Sequence, residues 1–456
     1  MPSAAIIGGG ISALSAAFDL HNAGWDIEVY EANDRFGGKI WSSPVGDRIV
    51  DSGPDTFLAR VPQGKQLCED LGLANELVAP ISPVPAYFHR DGALCPIPAG
   101  TVLGVPTDLE ALATSGAVSA DGVARAAKDL SLPLTDLYDH AGVELSVGAY
   151  CRARLGAEVT ERLIDPLIGG INASDINRLS LRSGAPQLWT AATEHRSIIE
   201  GLRASRPAVG ATLGSAGTND PVFLSLPGGL DRIIDALVDR LPVASLHLNA
   251  PITDLAQATV NRTAPDRVII GAPADVAAKL TASGAPTAAE LLATIEYASV
   301  AQVTVELPAD HVDPVLDASG ILFPRVDGGV MTASTWFSTK WAHYAKPGHV
   351  LIRLTSGRFG DERAFEFTDD ELAAHLVGEL AQLIDITAPP TATRVHRWMH
   401  AFPQYTPGHA DRVDAIFDAL AAEAPNVHVV GAAYRGIGIP ACIDSGRSLA
   451  ADLITA

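Results

Sequence analysis

A chain of 456 residues, 47% hydrophobic, has material for about two to four domains, or for one nucleotide-binding domain carrying large insertions. Its formal charge of −21 excludes nucleic acid and anionic membrane as general partners, and any anionic substrate must be met by local basic residues. The cysteines Cys68, Cys95, Cys151 and Cys442 form no C-x-x-C pair and read as buried thiols, so neither a disulfide framework nor a metal is expected.

The first element is the run Ala4-Ala5-Ile6-Ile7, which suits a buried parallel strand. Gly8-Gly9-Gly10 follow, and then a helical pattern runs from Ile11 to Ala23. Gly8 and Gly10 take the first two positions of a dinucleotide-binding turn, and Ala13 stands in the third. The free N–H groups at the helix start, where Ile11 and Ser12 stand, would face a pyrophosphate. A second strand, Ile27 to Tyr30, ends at Glu31, roughly twenty residues beyond Gly8, where a carboxylate accepts bonds from a ribose. Ala32 lies beside it. No Lys or Arg precedes Arg35, and three glycines interrupt the apolar N-terminus, so a signal peptide is not expected. No run reaches the ~18 to 20 apolar residues of a membrane span. A cytoplasmic location follows, with peripheral membrane contact left open.

After Glu31 comes Arg35-Phe36-Gly37-Gly38-Lys39. An R-x-G-G behind such a turn resembles FAD enzymes related to amine oxidases, with Arg35, Gly38 and Lys39 on the flavin side of the pyrophosphate. The segment Ile49-Val50-Asp51-Ser52-Gly53-Pro54-Asp55-Thr56-Phe57-Leu58 follows, then Leu67 to Leu73 and the loop Pro98 to Pro106. Farther on are Arg152 to Gly156, Pro166-Leu167-Ile168-Gly169-Gly170-Ile171, Leu179-Ser180, His195-Arg196-Ser197 and Pro227 to Leu230. The second half carries Ile252 after a predicted strand, the strand Val268 to Ile270, Ser334 to Trp341, Trp398, and Pro403 to His409. It ends on Gly431 to Ile443, where Ile437, Gly438 and Ile439 open the last helix. The stretches Thr107 to Thr135 and Arg203 to Asp220 are weakly patterned and read as surface helices and loops.

In this order, these segments resemble the oxygen-dependent porphyrinogen oxidases of haem biosynthesis over essentially the whole chain. The resemblance implies an α/β fold: an FAD-binding Rossmann-type, amine-oxidase-like domain, an inserted α+β substrate domain and a helical domain. Residues 1–80, 226–275 and 396–456 would form the FAD-binding domain, 81–225 a substrate and helical region, and 276–395 the substrate-binding domain. FAD would be held by Gly8 to Ala13, Glu31, Ala32, Arg35, Gly38, Lys39, Gly53, Pro54, Asp55, Thr56, Ile252, Trp398, Gly431 and Ile437 to Ile439. Phe57, Gly169, Gly170 and Lys340 would face the substrate, and Asp55 would orient it or accept a proton, unless it merely caps the following turn. Arg358, Arg60 and Lys65 are further candidates for a basic rim. Two departures stand out. Asn172-Ala173-Ser174-Asp175 replaces the family's aromatic-Ala-Gly-Asp, and Ala86 or Tyr87 stands where some members carry a basic residue, with His89 and Arg90 as neighbours.

The implied activity is oxidation of coproporphyrinogen III to coproporphyrin III, with molecular oxygen as acceptor and hydrogen peroxide as product. Protoporphyrinogen IX is the alternative substrate. Transfer of the product to a ferrochelatase is a pathway expectation, and the oligomeric state is left open. Amine oxidases and carotenoid desaturases lack the Gly53 and Tyr434 segments. A non-enzymatic escort protein of the same fold would need neither Glu31 nor the phosphate turn.

Overall fold

The computed structural model describes residues 1–81, 85–205, 221–312 and 316–456. Most of the expected surface stretch after Arg203, residues 206–220, lies outside these.

The N-terminal apolar run forms β1 (Ser3–Ile7), the turn leads into α1 (Ile11–Asn22), and β2 (Asp26–Tyr30) returns parallel to β1 with Ile6 opposite Val29. Three strands from far along the chain, β3 (Leu246–His247), β4 (Arg267–Ile270) and β5 (Val427–Val429), complete a parallel sheet in the order β3-β2-β1-β4-β5. Alternation sends Ala4 and Ile6 into one core with Leu14, Phe18 and Ile443, and Ala5 and Ile7 into another with Leu292, Val413 and Ile416. Burial on both faces is why β1 and the Val268–Ile270 stretch of β4 read as unbroken apolar runs. The C-terminal helix α2 (Ile439–Thr455) lies on α1 so closely that a Cβ on Gly446 would come 2.0 Å from the Ser12 carbonyl oxygen.

A second, seven-stranded sheet carries strands 392–403, 297–308, 349–356, 331–336, 320–322, 87–90 and 93–96, in that order. Its pairs are antiparallel except where 320–322 lies beside 87–90. The divisions expected from sequence do not coincide with this sheet. The edge at 395/396 falls inside strand Ala392–Pro403, and the hairpin 87–96 comes from the segment expected to be the helical region.

The third part is helical and has its own core, including Tyr150, Leu155, Leu163, Ile164, Leu188 and Leu202. Helix Thr160–Gly169 is wound as a π-helix and contains Pro166, whose missing N–H would leave an α-helical ladder broken. The two-residue turn Leu103-Gly104, both at positive φ, presses on it: a Cβ on Gly104 would stand 2.5 Å from the Ile164 Cα.

The expected surface stretch Thr107 to Thr135 contains short helices Leu109–Ser115 and Ala120–Ala127, but it also buries Asp129 completely. Asp129 Oδ1 pairs with Arg154 Nε at 2.6 Å, and its Oδ2 accepts from Ser197 Oγ at 2.5 Å and from the Ile199 N–H at 3.0 Å. Arg154, equally buried, also donates to the carbonyls of Asp129 and Arg196. A charge in a weakly patterned segment gave no sign of this pairing. Asp129→Ala leaves the buried guanidinium uncompensated and is expected to cost about 3–5 kcal/mol. Denaturant unfolding of the purified variant measures it, and a loss below about 1 kcal/mol would contradict the pairing's importance.

Candidate functional site

At the carboxyl end of β1, Gly8 adopts φ +100°, and a Cβ there would lie 3.0 Å from the Gly271 carbonyl carbon. A Cβ on Gly271 would in turn stand 2.7 Å from that of Ala13, so the third position of the turn must be small. Nothing lies within 4 Å of the Cβ direction of Gly10, which leaves the turn open to a close-approaching group. Gly10 caps α1 without a side-chain bond, and no acidic residue occupies the first helical turn. The unspent N–H groups there suit a diphosphate. Glu31 is buried. Its Oε2 accepts from Gly9 N–H at 2.7 Å, and its Oε1 accepts from the Asn33 N–H and Nδ2 at 2.8 and 2.6 Å. The chain after β3 runs beside it, with the Ala250 N–H on the Glu31 carbonyl at 2.9 Å. That places partly buried Ile252 near the same end, while Ala32 is exposed.

The Arg35 loop closes over the turn through Gly37 N–H to Gly9 O at 2.7 Å. Arg35 does not reach out toward a phosphate. Its guanidinium donates to the carbonyls of Phe36, Ile40 and Gly38 at 3.1, 3.3 and 2.6 Å and lies 4.5 Å over the Trp41 ring. It shapes the loop that carries Gly38 and Lys39. Gly53 sits against this loop, since a Cβ there would meet the Lys39 carbonyl oxygen at 2.1 Å. Trp398 Nε1 donates to Ser52 O at 2.6 Å, and its ring packs 4.1 Å from His396, which meets Trp41 at 4.6 Å. Burial, then Arg394 and Arg35, push His396 down to about 4, so this aromatic wall is uncharged at neutral pH.

Across from it, Gly431 takes φ +125° and donates its N–H to Ser445 Oγ at 3.1 Å. Tyr405 Oη donates to Ala432 O at 2.6 Å and accepts from Gly436 N–H at 2.9 Å. Ile437 packs on the helical core, and Ile439 opens α2 behind Gly438, again with neither a side-chain cap nor an early acid. Two uncapped helix starts, α1 and α2, and a backbone made bare by glycine are what FAD requires, and the residues present fit it.

Asp55 occupies the centre, 5% exposed. Its Oδ2 accepts from Lys340 Nζ at 2.8 Å and Trp341 Nε1 at 3.1 Å, and its Oδ1 from Arg353 Nη2 at 2.6 Å. Arg353 Nη1 also holds the Gly53 carbonyl at 2.8 Å. Burial pushes the Asp55 carboxyl up, but Lys340 and Arg353 together outweigh it and hold it well below the usual carboxylate range. A carboxylate so stabilised is a poor proton acceptor, so that expected role does not fit; neither does capping of the following turn, because its bonds run to Lys340, Trp341 and Arg353, far along the chain.

Other expectations also shift. Lys340 spends its charge on Asp55 rather than on a substrate. Phe57 lies in the core beneath Gly64, whose Cβ would meet it at 2.7 Å, so it is not a substrate wall. Thr56 Oγ1 ties its loop to Leu224 O at 3.0 Å. His89 pairs with Asp327 at 2.6 Å, and Arg90 donates to the Gly116 carbonyl at 2.7 Å. Arg60 and Lys65 are exposed at the surface, Pro54 is partly buried, and Gly169 is buried where Gly170 is open. Among the described residues no cluster of metal-ligating side chains occurs and no helix is long and apolar enough to cross a membrane.

Two groups escaped the sequence reading. Arg353 interrupts the apolar run of strand His349–Ser356, and that interruption was its signal. Asp51 is buried, accepting from Ser42 Oγ and Leu230 N–H, both at 2.8 Å, and from Tyr344 Oη at 3.3 Å.

The sequence pattern of the flavin containing amine oxidoreductases matches residues 11–454. The chain belongs to this family. It is 34% identical to a Bacillus subtilis protein named coproporphyrinogen III oxidase, over 99% of this chain and 97% of that one. It is 32% identical to a protein of the same name from Propionibacterium freudenreichii, over 99% and 90% of the two chains. A crystal structure described as a putative protoporphyrinogen oxidase from Exiguobacterium sp. 255-15 superposes with a TM-score of 0.85 at 28% identity, covering 100% of this chain and 99% of that one. The amine-oxidase-like fold and the FAD cofactor expected from sequence are thereby established for this flavin oxidoreductase.

Burial pushes the Asp51 carboxyl up to about 7 against the pull of its hydrogen bonds. The folded chain therefore keeps a proton on Asp51 that the unfolded chain gives up near pH 4. This group's contribution to stability falls as pH climbs from about 4 to about 7. In Asp51→Asn that slope should vanish, so the melting temperature of the variant should gain on the wild type across this window; parallel curves would refute it.

Proposed function

We propose that this flavoprotein oxidises coproporphyrinogen III to coproporphyrin III. The observation that carries the reading is whole-length identity above 30% to enzymes of that name, together with a site whose glycine loops suit FAD. Six hydrogens leave the macrocycle, and three oxygen molecules become three of hydrogen peroxide. When bound, FAD supplies the redox chemistry, and the protein supplies position and electrostatics. Gly8 to Ala13 and Glu31 would hold the dinucleotide end, with Ile252 beside the adenine. Gly53 to Thr56, Trp398, Gly431 and Ile437 to Ile439 would hold the flavin end, where the N–H groups that open α2 favour negative charge. Asp55 fixes the Gly53 loop through Lys340 and Arg353, and Trp41, His396 and Trp398 keep water from one side. The product would pass to a metal-inserting enzyme, a ferrochelatase, in the cytoplasm.

A second reading, oxidation of protoporphyrinogen IX, is favoured by the description given to the Exiguobacterium protein. Purified protein supplied with each porphyrinogen in air should form coproporphyrin faster, read by porphyrin fluorescence. A clear preference for protoporphyrinogen would overturn the first reading.

The positioning role of Asp55 has its own test. Asp55→Asn should lower flavin content and thermal stability while kcat per bound flavin stays within about threefold. A fall of the 10²–10⁴-fold size expected on losing a general base would restore the proton-accepting role.

A further inference from the structure

Asp165 lies on the buried side of the π-helix Thr160–Gly169, 4% exposed. Two arginines converge on it. Arg358, 6% exposed, brings Nη1 only to 3.8 Å from Asp165 Oδ2, and Arg325 points its backbone N–H at the same oxygen from 3.4 Å. The Arg325 Nη2 is shared between the carbonyls of Ser174 and Phe359, each 3.3 Å away. The Nε of both arginines is buried without a hydrogen-bond partner among the described residues.

Nearby carboxylates are committed elsewhere. Asp361 bonds Arg363 twice at 2.8 Å, Asp327 serves His89 and Arg162, and Asp175 holds Asn177. The Arg358 guanidinium thus has one distant carboxylate, whose charge also feels Arg325, while the Arg325 guanidinium is spent on two carbonyls. Burial and then the Arg325 charge push Arg358 down from its ordinary value, against the pull of Asp165 and Asp361. An arriving carboxylate would form the short charge-assisted bonds, about 2.7–2.9 Å, that Asp165 does not supply.

The cluster adjoins the predicted substrate turn. A Cβ on Gly169 would lie 3.0 Å from Asp165 Oδ1, and Ala173, at φ +47°, accepts the Phe359 N–H at 2.8 Å. Ser174 Oγ then donates to Gln404 Oε1 at 2.7 Å, and the neighbouring Tyr405 carries the Gly436 N–H. A continuous set of contacts runs from the arginines to the loop assigned to the flavin.

We propose that Arg358, backed by Arg325, receives a carboxylate of the substrate beside the Gly169–Ala173 turn. This rests on the porphyrinogen reading and names where one propionate goes. Asp165 keeps the pair poised while Arg325 secures the loop, so Arg358 contacts the substrate and Arg325 acts as a positioning residue.

The test uses flavin-loaded full-length protein. Arg358→Gln should raise KM for coproporphyrinogen III on the order of ten- to a hundredfold, with kcat changed less than about threefold. Arg358→Lys, which keeps the charge, should recover part of the loss and covers the case in which the Gln variant does not fold. Binding of coproporphyrin III as the free acid, compared with its tetramethyl ester, gives a readout that a structural clamp would not move. Wild type should prefer the free acid, and Arg358→Gln should lose much of that preference. An unchanged KM and an unchanged acid-to-ester ratio in either variant overturn the subsite while leaving the activity intact. A wild-type protein that neither oxidises a porphyrinogen nor binds coproporphyrin overturns the functional reading and the subsite with it.

Discussion

Asp55 sits between Lys340 and Arg353 away from bulk water, and the pairing ties the loop 52–56 to the seven-stranded sheet and the short helix Phe337–Lys340. Asp55 belongs to the loop behind the nucleotide turn, whereas both cations belong to the seven-stranded sheet or its connections. Removing one partner of such a buried set costs about 3–5 kcal/mol, because the charge left behind has no water to turn to. Arg353 reinforces the joint by holding the Gly53 carbonyl with the same guanidinium. The loop that passes under the Lys39 carbonyl is therefore placed from the opposite sheet, not by its own short strands.

This arrangement decides how the acidic background is handled. The chain is strongly anionic, yet a few of its cations are buried or half-buried. Arg154 is paired in the helical core, Arg353 and Lys340 meet at Asp55, and Arg394 donates to the carbonyls of Ser43, Val50 and Asp51. A buried, incompletely paired cation carries a desolvation cost that an exposed one does not. That is why exposed Arg60 and Lys65, which look like a rim in the sequence, say less about substrate than the half-paired Arg358.

How much of this was legible depends on the range of the interaction. The turn at Gly8 to Gly10, the helix after it and the acid at Glu31 obey local rules, so they were readable and stand where expected. Gly53 and Gly431 were found by likeness to a family, and their physical reasons, a carbonyl 2.1 Å from an imagined Cβ and a positive φ, are visible only in three dimensions. Roles of charged residues were the least readable. Lys340 and Asp55 were each singled out for chemistry, yet they lie 2.8 Å apart and satisfy one another. Asp129 looked like a surface acid because its partner, Arg154, sits on another helix. A sequence shows which charges exist but not which are already spent.

The bare backbone contact between Gly446 and Ser12 has a consequence for how the protein is made. The phosphate turn is synthesised long before α2, which packs on α1 behind it. β4, which pairs with β1, and β5 beyond it also come later in the chain. Contacts of such wide sequence separation form slowly and expose apolar surface while they wait. Until those segments are made, residues 3–31 form half a nucleotide site, with α1 lacking its neighbour α2. Cofactor loading therefore depends on late-made backbone: a chain cut short before Gly438 would carry every N-terminal glycine of the motif and still lack the helix start that completes the cradle.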